Sequence, residues 1–206
     1  MHVGVVPTLL PEGGGIHQYT LNILNSIREL KSKGNGSETK ITLFYEYSDQ
    51  IHEEHIYNDV WSSVPIYPDF KHRFNGLLKD AARKTGLQNL GQRLQEKMTG
   101  SSAPPKINEP GSRPQYRRFF ESHGIDWLFY TAPNPLAFEV GVPYVMPVHD
   151  IHHQLHPEFP EFSAGSRWVD REYLFRNATK RATTVLVDSK KSKKDVVETY
   201  SDHGLD

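Results

Sequence analysis

The sequence predicts an α/β protein built on an open, mostly parallel, doubly wound sheet. Three observations predict it. Short apolar runs such as His2 to Val6 lack helical periodicity, stretches with apolar residues at helical spacing alternate with them, and a glycine loop joins the first run to the first stretch. At 206 residues the chain is within reach of one large α/β unit carrying an insertion.

Taken in order, His2-Val3-Gly4-Val5-Val6 reads as a strand buried on both faces. Beyond Pro7 and Gly13-Gly14-Gly15, the residues Ile16, Tyr19, Ile23, Leu24, Ile27 and Leu30 recur at helical spacing, and Gly34-Asn35-Gly36 supplies a stop. Ile41 to Tyr45 is the second strand, completing a βαβ unit. From Asp49 to Pro68 the periodicity fails, and Ile51 to Trp61 is open between a short helix and a loop. Residues 71–98 turn helical and basic, with Phe74, Leu77, Leu78 and Ala81 on one stripe and Leu87, Leu90, Leu94 and Met98 on another. The Gly, Ser and Pro between Gly100 and Pro114 mark a loop, so a helical and loop insertion is expected over roughly 68–114. Tyr116, Phe119 and Phe120 return to helical spacing. Strands follow at Trp127 to Tyr130, Tyr144 to Val148 and Thr183 to Val187, with a helix around Trp168 to Ala178 between the last two. Ser189 has the chemistry of an N-cap for a final helix carrying Val196, Val197 and Tyr200.

Composition narrows the function. A hydrophobic content of 36% and a mean hydropathy of −0.61 allow a sizeable core with polar excursions around it. The net charge of −1 argues against a nucleic-acid binder, which needs excess Lys and Arg to neutralise phosphates. With no Cys there is no disulfide framework, thiolate metal site or Cys nucleophile, which suits a reducing compartment; cytoplasm is the expected location. The run from Val3 to Leu10 is broken by Gly4 and Pro7 and has no basic flank, so it reads neither as a signal peptide nor as a membrane span.

Two stretches follow the carboxyl ends of predicted strands, where ligands sit in doubly wound sheets, and are expected to line one cleft. Gly13, Gly14 and Gly15 let the backbone approach a ligand, and the helix behind them offers free N–H groups to a phosphate or sugar hydroxyl. They form neither a dinucleotide fingerprint nor a P-loop; the plain alternative is a flexible turn. The second stretch, His149-Asp150-Ile151-His152-His153-Gln154-Leu155-His156, holds four of the eleven His. His and Asp are metal ligands, which admits a metal-dependent hydrolase, but no His-Glu-x-x-His spacing is present and Pro157 fits a loop better than a metal-binding helix. A second reading makes His149 a hydrogen-bonding residue at the strand mouth, and a third makes the stretch a surface loop. The basic stretch 71–98 reads as a solvated hairpin covering the sheet, or as a dock on anionic lipid whose liposome binding weakens with salt.

Gly13-Gly14-Gly15-Ile16-His17-Gln18-Tyr19 after the first strand, Val148-His149-Asp150 with Pro157-Glu158-Phe159, and Val187-Asp188-Ser189-Lys190-Lys191-Ser192 resemble the N-terminal half of family-4 (group 1) glycosyltransferases. The likeness covers roughly residues 1–45 and 125–203 and leaves the middle unmatched. It implies a Rossmann-like lobe of a two-lobed GT-B enzyme that transfers a sugar with retention of configuration, usually without a metal. The N-terminal lobe of such an enzyme receives a sugar or glycolipid acceptor, and the C-terminal lobe holds the nucleotide-sugar donor; no cofactor is expected on this lobe. By the resemblance His149 and Asp150 are the candidate catalytic residues, His149 contacting the transferred sugar and Asp150 shaping its loop. Gly13, Gly14, Gly15, Tyr19, Asn134 and Ser189 are the candidate substrate-binding residues. The sequence ends at Asp206, just past the helix that follows Ser189, so the donor lobe is expected to lie outside this chain and the chain alone to be inactive. The alternatives from other classes are the metal-dependent hydrolase and a non-catalytic binding module. The location implied is cytoplasmic, or peripheral to the inner face of the membrane.

Overall fold

The computed structural model describes residues 1–9, 14–34, 38–45, 59–67, 111–163 and 167–205. Residue 13 and nearly all of the expected insertion, including the basic stretch 71–98, lie outside the described residues.

The strands β1 (His2–Val6), β2 (Lys40–Tyr45), β3 (Ser62–Pro65), β4 (Trp127–Tyr130), β5 (Tyr144–Pro147) and β6 (Thr184–Leu186) form one six-stranded sheet in the order β3-β2-β1-β4-β5-β6. Every adjacent pair is parallel. This is the Rossmann-like, doubly wound arrangement, and its switch point lies between β1 and β4. Among the described residues, the helices of eight or more residues are α1 (Gly15–Ser32), α2 (Pro114–Ser122), α6 (Arg167–Arg181) and α7 (Lys190–Thr199). The single turns α3 (Leu136–Glu139), α4 (His152–Leu155) and α5 (Pro160–Ser163) fall between them.

Side chains alternate across a strand, and here the alternation divides two cores. Val3, Val5 and Leu43 join Leu24 of α1 and Trp61 on one face. Val6, Phe44, Leu128, Tyr130 and Met146 join Phe120 of α2, Ala178 of α6 and Tyr200 after α7 on the other. Gly4 sits where no side chain fits: a Cβ there would lie 2.7 Å from Leu128 and 2.9 Å from Phe44. Phe44 meets the Phe120 ring edge-on, with centroids 4.9 Å apart, and so locks β2 to α2. The start of α2 is held in turn by Arg113, whose Nε lies 2.5 Å from a carboxylate oxygen of the buried Glu139 on α3.

β3 is the element that periodicity missed. Its four residues, Ser62-Ser63-Val64-Pro65, carry no apolar alternation, and Pro65 is tolerated because the strand is at the sheet edge. A side-chain ladder compensates, from His2 Nε2 to the Thr42 hydroxyl at 2.8 Å and from Thr42 to the Ser62 hydroxyl at 2.9 Å. The single turns α3, α4 and α5 are likewise too short for a 3.6-residue period, so the His149 stretch, read as a loop, in fact breaks into helix at His152. Among the described residues, no helix is long and apolar enough to cross a membrane.

Candidate functional site

The site begins with the sheet register. Val145, Met146 and Pro147 of β5 pair with Thr184, Val185 and Leu186 of β6, and the Val148 N–H still donates to the Leu186 carbonyl at 2.8 Å. Carried two residues past the strands, the same register sets His149 against Asp188. The His149 Nδ1 lies 3.0 Å from one Asp188 carboxylate oxygen and 3.3 Å from the other. His149 is 20% exposed and Asp188 52%, so the pair stands at the lip of the sheet with the imidazole turned inward.

From the far side comes α1. Gly14 starts it in the left-handed region, at φ 54°, which a residue with a Cβ adopts only with strain. Gly15 is already helical, and a Cβ on it would meet nothing within 4 Å. One turn on, the Tyr19 ring stands edge-on to the His149 ring, with centroids 4.6 Å apart. Burial, and secondarily the charge of Asp188, push the Tyr19 phenol above its ordinary value, so it keeps its proton at neutral pH. Two buried threonines fix where α1 enters: the Thr131 hydroxyl, just past β4, accepts from the Thr8 N–H at 2.8 Å and from the Thr20 hydroxyl at 2.9 Å. The loop after β1, the first turns of α1 and the end of β4 are thereby tied together at the switch point.

Gly15, Ile16, Tyr19, His149, Asp150 and Asp188 enclose a cleft of about 410 Å³. A second cavity, of about 330 Å³, runs along β6 from Thr183 to Val187, beside Val197, His203 and Leu205. The first is the candidate site because it is at the carboxyl ends of the strands and gathers ionisable groups.

Four of the candidate residues named from sequence, Gly15, Tyr19, His149 and Asp150, line this cleft, and Gly14 adjoins it. Asn134 and Ser189 do not line it. The Asn134 side-chain oxygen accepts from the Leu136 N–H at 2.9 Å to start α3, and the Ser189 hydroxyl accepts from the Ser192 N–H at 3.0 Å as the N-cap of α7. Asp150 is not the partner of His149. Its Oδ1 accepts from the His152 N–H at 3.0 Å, which starts α4, and from Arg171 Nη2 at 3.3 Å. The other histidines disperse. His156 lies 3.3 Å from Glu158, while His153 is fully buried, stacked on Phe175, with its Nε2 3.3 Å from Glu172. Among the described residues, no three His, Asp or Glu side chains converge as a metal would require.

Sequence reasoning passed over four participants. Asp188 was visible only as part of the Val187-Asp188-Ser189 motif; aligning the ends of two neighbouring parallel strands would have paired it with His149. Thr20 and Thr131 gave no signal, being 111 residues apart. Glu172 gave no signal in the sequence, yet its carboxylate accepts from His153 and Gln154 and so anchors α4. No protein-family model and no curated protein matches the sequence.

Proposed function

We propose that this chain is the acceptor-side lobe of a retaining glycosyltransferase of two-lobed GT-B architecture, working with a second lobe that holds a nucleotide-sugar. The observation that supports this reading most is the cleft of about 410 Å³ in which His149, past β5, faces Tyr19 and the glycine start of α1. Its volume is in the range of small-ligand sites, roughly 300–1,000 Å³. Its lining of imidazole, phenol and two carboxylates is rich in groups that hydrogen-bond to hydroxyls. In the reaction proposed, the acceptor hydroxyl oxygen bonds to the anomeric carbon and the bond from that carbon to the nucleotide diphosphate breaks. The hydroxyl proton leaves with the departing phosphate. His149 contacts the transferred sugar, Asp150 shapes the turn into α4, and the bare backbone at Gly14 and Gly15 lets the ligand approach α1 closely.

The test is transfer by the polypeptide that carries this lobe together with a donor lobe. Nucleotide-sugars are offered with simple glycoside and glycolipid acceptors, and the anomeric configuration of the product is read by NMR. Retention is expected, with His149→Ala lowering turnover roughly 100-fold while the melting temperature stays within a few degrees. Absence of transfer, an inverted product, or a His149→Ala protein that simply unfolds would remove the reading.

A further inference from the structure

We propose that Asp188 sets the tautomer of His149, holding its proton on Nδ1 so that Nε2 is presented as a lone-pair acceptor for a hydroxyl of the ligand. The identity of that ligand as a sugar rests on the function proposed above; the role of Asp188 does not.

An ionised carboxylate has only lone pairs to offer, so a hydrogen bond at 3.0 Å between Asp188 and Nδ1 requires the N–H to be on Nδ1. A neutral imidazole has one N–H, which leaves Nε2 bare. That nitrogen is buried, and among the described residues no protein group donates to it. A buried acceptor left without a donor is unfavourable, and His149 lines the cleft from which a donor would come. The other sides of the cleft agree with a neutral, hydroxyl-bearing ligand. Among the described residues they supply Tyr19, Asp150 and Asp188 and no Lys or Arg, and Arg171 donates to the Oδ1 of Asp150 from outside the cleft lining.

The placement comes from the sheet itself. His149 and Asp188 are neighbours because β5 and β6 pair with an offset that both residues continue, while Asp150, next in sequence to His149, points its carboxylate to His152 and Arg171. Asp188 is therefore a positioning residue, acting through His149.

Long-range ¹H–¹⁵N NMR on the histidine-labelled protein tests this directly at about pH 8.5, above the ordinary imidazole value of about 6.5. The His149 signals are assigned by their loss in His149→Gln. The wild type should show Nδ1 protonated and Nε2 bare. Asp188→Ala should move the tautomer ratio about tenfold towards Nε2–H, the ratio one hydrogen bond of ordinary net strength supports, and Asp188→Glu should restore part of it. Asp150→Ala should leave the ratio where it is. A wild-type His149 protonated on Nε2, a ratio untouched by Asp188→Ala, or an equal shift in Asp150→Ala would each overturn the proposal. The wild-type measurement decides even if Asp188→Ala folds poorly. Titration with methyl α-D-glucopyranoside then separates the two claims. An Nε2 resonance perturbed by the sugar supports both, whereas an Nδ1–H tautomer that no sugar perturbs upholds Asp188 and counts against sugar transfer.

Discussion

Gly14 and Gly15 stand side by side with opposite demands. Gly14 needs its missing Cβ for a backbone at φ 54°, whereas Gly15 is helical and lines the cleft, with nothing within 4 Å of where a Cβ would be. Gly14→Ala should therefore cost roughly 1–3 kcal/mol of stability in urea unfolding, through backbone strain at positive φ. Gly15→Ala should be neutral or stabilising by up to about 1 kcal/mol, while its methyl group takes space from a bound ligand. Stability would fall in one variant and ligand binding in the other; the reverse pattern would mean that the glycine pair is only a hinge. The Gly13-Gly14-Gly15 run was legible in sequence as a loop leading into a helix, but the different demands on Gly14 and Gly15 were not, since they depend on where α1 begins.

At the level of elements, Glu172 of α6 joins three helices. Its Oε2 accepts from His153 at 3.3 Å, from Gln154 at 2.5 Å and from the Tyr200 hydroxyl at 3.0 Å, with Arg176 3.7 Å from the other oxygen. Glu172→Ala would leave those donors without their acceptor in a largely buried place and should cost roughly 2–4 kcal/mol in urea unfolding, against about 1 kcal/mol for Tyr200→Phe. Near-equal costs would show that the carboxylate is not the hub. The same contrast explains what sequence could and could not supply. Strands β1, β2, β4, β5 and β6 were legible as short apolar runs, and helices α1, α2, α6 and α7 by an apolar period or a cap, down to Ser189 accepting from Ser192. β3, α4 and the Glu172 hub were not, because Ser62-Ser63-Val64-Pro65 holds no apolar run, a single helical turn cannot display a 3.6-residue period, and a polar hub depends on partners distant in the chain. His149 was found by its position at a strand end, but its partner was not, because only pairing across strands brings in Asp188.

For the molecule as a whole, three histidines bias stability with pH in one direction. His2, His153 and His203 are each held below the ordinary imidazole value, in every case chiefly by burial. Lys40 adds to the effect at His2, while Glu172 opposes it at His153 and Asp202 at His203. The unfolded chain therefore takes up these protons first as pH falls. Their contribution is intact above about 6.5 and is lost as pH drops from there through the folded-state values. Melting temperatures at pH 7.5, 6.5 and 5.5 should decline below 6.5, and His203→Gln should flatten part of that decline. A protein that melts higher at pH 5.5 would contradict the burial of these rings. The β5–β6 register, finally, decides which kinds of length change this fold can tolerate. Residues inserted between Pro157 and Arg167 leave the offset between the two strands untouched. Deleting a single residue from β6 while its pairing with β5 is kept would bring Ser189 opposite His149 and carry Asp188 away, so the site is robust to indels in its connections and brittle to one inside a strand.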